Sequence, residues 1–149
     1  MMKIYNIKRE RGRASNRFCG PAAISALTNK DTAETARSLR DRGGLRQITG
    51  TSERLLKETL YYDYGINLIN ISDYSKNCMN RRPTLARWLK QTIKFRTKGR
   101  VFVIIAGNHY QIISGRRYVC GMVGEICSIR DKKVRRRARV EKVYEARSV

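Results

Sequence analysis

Acidic residues are scarce in this chain of 149 residues: 12 Asp and Glu stand against 33 Lys and Arg, for a formal net charge of +21. So few scattered carboxylates build few calcium-type sites, which need several oxygen donors together. Histidine is rarer still, with a single residue at position 109. No Cys-x-x-Cys pair exists among Cys19, Cys78, Cys120 and Cys127, whose spacings are 59, 42 and 7 residues. A zinc site of ordinary ligands therefore has little to build on, and neither metal nor other cofactor is expected. Long apolar runs are absent as well. The longest, Val101 to Ala106, is six residues, far below the ~20 that a bilayer requires, so no membrane partner is expected. The opening MMKIYNIKRERGR lacks an apolar stretch of signal-peptide length, which argues against secretion. In a reducing intracellular compartment the four cysteines read as free thiols.

What is present is enough to fold. Apolar residues make up 41% of the chain, too many for a disordered polycation, and the length suits one domain with one core. The charge calls for a polyanion nearby, either nucleic acid or an acidic protein surface, because an isolated compact domain would repel itself. The basic residues are not spread evenly. Residues 1–17 hold six basic side chains and one acid and read as a basic arm, and residues 130–149 hold nine and three and read as a basic tail.

Between these ends the hydrophobic period changes once. Small and apolar residues from Phe18 to Leu27 suit a buried helix starting near Gly20, with Pro21 in its first turn. Asp31 and Glu34 have capping-box spacing for a second helix that stops at Gly43-Gly44. Thr51 or Ser52 caps a third, ending before Gly65. After Gly65 the alternation of Ile66, Leu68, Ile69 and Ile71 predicts a strand. Pro83-Thr84 opens a helix with Leu85, Trp88, Leu89 and Ile93 on its core face. Val101 to Ala106, Tyr110 to Ile113 and Tyr118 to Cys120 predict three more strands, with the chain turning at Gly115. Ile126 and Ile129 suggest another, and Val134, Val140 and Val143 give the tail weak strand character. Helices first and an antiparallel sheet afterwards make an α+β domain.

One segment has the makings of a reactive site. In Asn16-Arg17-Phe18-Cys19-Gly20-Pro21 a cysteine stands at the first turn of a helix, where unpaired amides and the helix dipole favour a thiolate. Gly20 leaves the sulfur approachable, and the Cys19 N–H could form half of an oxyanion hole. The competing reading is a buried cysteine that packs as a small apolar residue. The only histidine, His109, follows the Gly107-Asn108 break at a strand start. There a base can face a helix N-terminus, as a Cys–His pair requires.

Cys-Gly-Pro-Ala at residues 19–22 and Gly-Asn-His-Tyr at 107–110, the latter followed by Gly115, resemble the papain-like cysteine peptidase superfamily. The resemblance is closest to its small forms, the bacteriocin-leader peptidases and bacteriophage proteins. It covers roughly residues 14–130, in the family's chain order of cysteine and, about 90 residues later, histidine. It implies a papain-like fold with Cys19 as nucleophile and His109 as base, acting on a peptide substrate. The orienting Asp or Asn of the family corresponds to Cys120, with Glu125 or Asp131 as substitutes. The oxyanion glutamine corresponds to Arg13, with Asn16 or Ser15 standing in. A phage or virus source, and a place in the host cytoplasm or the virion, follow from the same resemblance.

Two basic segments suit nucleic acid. Residues 81–100 hold eight basic side chains and no acid, and Arg81, Arg82, Arg87, Lys90 and Lys94 would form a phosphate-binding face. The run Arg135, Arg136, Arg137 and Arg139 reads as an arm gripping nucleic acid, or by composition as a nuclear localisation signal. Tyr61, Tyr62 and Tyr64 suit aromatic packing over the sheet, or stacking on bases. Two functions emerge. One is a cysteine peptidase with a basic surface. The other is an inactive peptidase-like virion protein that binds nucleic acid or an acidic capsid or tail surface.

Overall fold

Each helix begins and ends where its terminal residues satisfy the free backbone groups. The computed structural model of the chain describes residues 2–10 and 18–149. Helix α1 spans Cys19–Thr28 and closes at Asn29 in the left-handed region, φ 64°. Helix α2, Thr32–Gly43, is capped by Asp31, whose side chain accepts from the Glu34 N–H at 2.8 Å. Helix α3, Glu53–Tyr64, is capped by Ser52 and stopped by Gly65. Strand β1 covers Ile66–Asp73, and after a 3-10 turn at Met79–Arg81 helix α4 covers Leu85–Gln91 with Thr84 as its cap. Strands β2 (Val101–Ala106), β3 (His109–Ser114), β4 (Arg117–Cys120), β5 (Cys127–Ser128) and β6 (Val140–Ser148) complete the described elements.

The six strands form one antiparallel sheet in the order β1-β6-β2-β3-β4-β5. Helices α1 to α3 cover one face, packing Ile24, Leu39 and Leu56 on Val103, Ile112 and Tyr144. Helix α4 and the chain around Val134 cover the other, over Phe102, Ile104, Ile113 and Tyr118. Strand β2 is buried along its whole length because both faces are covered, which is why its sequence runs apolar without alternation. The arrangement is α+β, as the change of hydrophobic period implies.

Four expectations need correction. The tail is no appendage: β6 lies between β1 and β2 in the sheet. Its pattern looked weak because Glu145 is buried in the middle of the strand, with Arg100 donating to both carboxylate oxygens at 2.8 and 2.9 Å. Residues 2–10 of the basic arm are also built in. Ile4 and Ile7 join the core, and the Tyr5 and Ile7 N–H groups donate to Ala26 and Gly124 carbonyls. Ile93, expected on the core face, is 66% exposed, because α4 stops at Gln91 and the chain turns before residue 93 reaches the sheet. Tyr61 and Tyr62 lie edge to face with each other on the exposed side of α3, and the Arg42 guanidinium sits over the Tyr62 ring, so they do not pack over the sheet.

Candidate active site

Cys19 is the first residue of α1, and its neighbours explain why the chain can bring a sulfur there. A Cβ on Gly20 would run into the side chain of Thr51, and one on Gly121 would lie 3.7 Å from the Cys19 Cα. Glycine at position 20 thus lets the segment before α3 close on the start of α1, while at Gly121 a Cβ would make only ordinary contacts. The hydroxyl of Tyr110 donates to the Thr51 carbonyl at 2.5 Å and ties β3 to the same segment. The Thr51 hydroxyl is buried there without a partner among the described residues.

The backbone N–H groups of Tyr110, Cys19 and Gly20 act on the half-buried thiol. These amides favour the thiolate, but burial outweighs them and pushes the Cys19 thiol above its ordinary value. The expected depression by the helix start is therefore present and overcome. At rest the sulfur is protonated.

His109 opens β3 directly after a two-residue turn in which Gly107 (φ 58°) and Asn108 (φ 61°) both adopt left-handed conformations. That is the tight hairpin geometry matching strand twist, and it fixes where the imidazole leaves the sheet. The Tyr110 amide acting on the thiol belongs to the peptide bond that follows His109, so Cys19 lies near the start of β3. Tyr110 faces the α1 side, whereas by alternation His109 leaves on the side of Gln111. The imidazole and the thiol therefore stand on opposite faces of β3, and Arg135, not Cys19, is the charge that acts on His109. The half-buried imidazole is held below its ordinary value by burial and then by the charge of Arg135. It makes no hydrogen bond among the described residues, and it is neutral at neutral pH.

The remaining candidates are placed apart. Cys120 is buried and sits opposite Gln111, two residues along from His109. Gln111 is itself committed, donating to the Ala106 carbonyl at 3.0 Å and accepting from the Tyr118 hydroxyl at 2.5 Å. Glu125 is exposed in the loop after β4, and Asp131 accepts from the Lys133 N–H. No hydrogen bond joins any of these three to the imidazole, although Cys120, opposite Gln111, points to the same face of the sheet as His109. Arg13, Ser15 and Asn16 lie outside the described residues.

Sequence reasoning missed the groups around Tyr110. Glu53 accepts from Tyr144 at 2.6 Å and from Lys142 at 3.1 Å, joining the start of α3 to β6 next to Tyr110. Thr51 and Tyr110 were within reach, since one neighbours a helix cap and the other adjoins His109. Lys142 and Tyr144 were not, because nothing local ties the tail to the middle of the sheet.

The two basic segments come together. The Leu85 and Ala86 N–H groups donate to Ala138 and Arg136, and Val140 donates to Pro83. Arg81, Arg87, Lys90, Lys94, Arg135 and Arg137 are exposed. Three others are partly spent on structure: Arg82 donates to the Ser75 carbonyl at 2.9 Å, Arg139 to Arg82 at 2.8 Å and Arg136 to Ile129 at 2.6 Å. Among the described residues no three His, Cys, Asp or Glu side chains converge as metal ligands, and no helix is long and apolar enough to cross a membrane. No family model, curated protein or solved structure matches the chain.

Proposed function

We propose that Cys19 and His109 form a thiol acyl-transfer site of papain-like layout and that the chain acts as a cysteine peptidase, phage or virus encoded as the resemblance implies. One observation carries this reading: the amide that follows His109 is foremost among the backbone donors acting on the thiol at the start of α1. The protonated thiol and neutral imidazole dictate the order of events. For Sγ to bond to the substrate carbonyl carbon its proton must pass to His109, so this reading requires the imidazole to turn around the start of β3 toward Cys19 when substrate binds. The tetrahedral oxyanion is received at the helix start by the Cys19 N–H, which acts on the resting thiol and turns to the oxyanion as the thioester forms. The imidazolium then protonates the leaving amine as the C–N bond breaks, and water hydrolyses the thioester. Without an orienting carboxylate on the imidazole, turnover is slow; losing such a group from a triad costs ~10⁴-fold.

A second reading rests on that same free imidazole nitrogen together with the raised thiol. In it the chain is an inactive relative of such peptidases, a virion component whose basic surface binds packaged nucleic acid or an acidic partner. Labelling by an electrophilic peptide probe separates the two. A peptidase site predicts covalent modification of Cys19 that is abolished in Cys19→Ala and strongly reduced in His109→Ala. Its rate rises as the imidazole loses its proton below the ordinary 6.5 and is already substantial at neutral pH, whereas an unassisted thiol reacts only as pH climbs toward and past 9.0. Labelling that is indifferent to His109, or confined to exposed Cys78, supports the second reading.

A further inference from the structure

On the face of the sheet away from Cys19, a cleft of about 450 Å³ runs between α4, the Gly115 turn and the chain at residues 129–136. Five cations line it, Lys90, Arg96, Arg116, Arg130 and Arg136, and no carboxylate does. Leu89, Ile93 and Ile129 supply apolar surface between them. Arg96 is the unusual member. It is only 7% exposed, yet its guanidinium donates solely to neutral acceptors: the Thr92 hydroxyl, the Leu89 carbonyl and the Gly115 carbonyl. Buried charges are ordinarily paired, and among the described residues no carboxylate pairs with Arg96. Three hydrogen bonds leave two of the five guanidinium N–H groups unspent. The cost of burying this cation falls if an anion enters the cleft. Lys90, Arg116 and Arg130 are exposed at its rim, and none of the three forms an ion pair among the described residues.

We propose that this cleft holds the phosphodiester backbone of a nucleic acid, with Arg96 as its fixed floor and Lys90, Arg116, Arg130 and Arg136 around it. Arginine forks suit phosphate oxygens, while the apolar strip accommodates sugars or base faces between charges. A net charge of +21 favours nucleic acid over a short acidic peptide, since only an extended polyanion engages so much charge at once. The proposal goes beyond the acyl-transfer reading and stands whether or not Cys19 is reactive.

The test is fluorescence anisotropy with labelled oligonucleotides of about 20 nucleotides, single-stranded and duplex, across about 50 to 200 mM salt. Arg96 variants risk the fold, so the variant is Arg116→Glu/Arg130→Glu, compared with Arg37→Glu/Arg54→Glu. The latter changes net charge equally on the exposed side of α2 and α3. The cleft pair should weaken binding at least about tenfold more than the control pair, and should lower the salt slope by about two. Preference for single strand or duplex identifies the form bound, and either supports the proposal. Equal losses in the two double variants would overturn it. So would absence of binding at low salt, or displacement of the oligonucleotide by poly-glutamate at lower charge equivalents than by unlabelled oligonucleotide.

Discussion

Gly20 shows how much of the candidate site depends on one absent side chain. Its neighbour Thr51 occupies the place a Cβ would take, and the Thr51 carbonyl is where Tyr110 anchors. Gly20→Ala must therefore push the segment before α3 away from α1, an overpacking cost of about 1–3 kcal/mol. Chemical denaturation should show that loss, and accessibility of Cys19 to a small thiol reagent should rise in the same variant. Unchanged stability with unchanged accessibility would mean that the contact yields freely. Glycine next to the cysteine was legible in the sequence, but as room for a substrate. Its partner Thr51 was not, because a contact across 31 residues leaves no local trace. Cys120 carries the complementary lesson. Motif position assigned it to orient His109, yet strand pairing sets it opposite Gln111 and buries it. A carboxylate introduced by Cys120→Asp would meet an apolar wall with Tyr118 and Val134. The expected result is a loss of several kcal/mol of stability, with no gain in Cys19 reactivity.

Among the elements, the helices were readable because their signals are local: Asp31, Ser52 and Thr84 each cap where the side-chain pattern places them. Strands β2 and β3 were readable for their apolar runs. Strand β6 was not, since its central residue is a buried glutamate whose partner, Arg100, lies 45 residues away. Arg100, helped by Arg147, holds the Glu145 carboxyl at about 2 against an ordinary 4.5. A folded value below the unfolded one means that stability from this ion pair is complete above about pH 4.5 and disappears as pH falls toward 2. The shift corresponds to about 3 kcal/mol at most, and exposure of Arg147 trims that through solvent screening. Glu145→Gln should accordingly cost about 2 kcal/mol at neutral pH and flatten the loss of stability between those pH values. A variant as acid-sensitive as wild type would place the titrating group elsewhere. Because β6 bridges β1 and β2, removing residues 140–149 should abolish cooperative unfolding altogether.

At the scale of the whole molecule the dominant fact is 33 basic against 12 acidic side chains. The fold neutralises few of them. Its ion pairs at Arg42–Asp63 and Arg54–Glu58 lie at the surface, where solvent screens them. Salt acts on both terms. It weakens these pairs slightly and screens the mutual repulsion of the excess cations, a larger effect because it involves every pair of like charges within about 10 Å at moderate ionic strength. Melting temperature should therefore rise as sodium chloride increases from about 20 to 300 mM, a range over which the Debye length shortens severalfold. A polyanion adds a second contribution that simple salt lacks, since a ligand bound only by the folded state stabilises it in proportion to the logarithm of its concentration. An oligonucleotide at fixed ionic strength should raise the melting temperature further, and Arg116→Glu/Arg130→Glu should remove most of that increment while keeping the response to salt. If simple salt alone reproduced the full stabilisation, the excess charge would be relieved by screening everywhere rather than by a bound strand at one face.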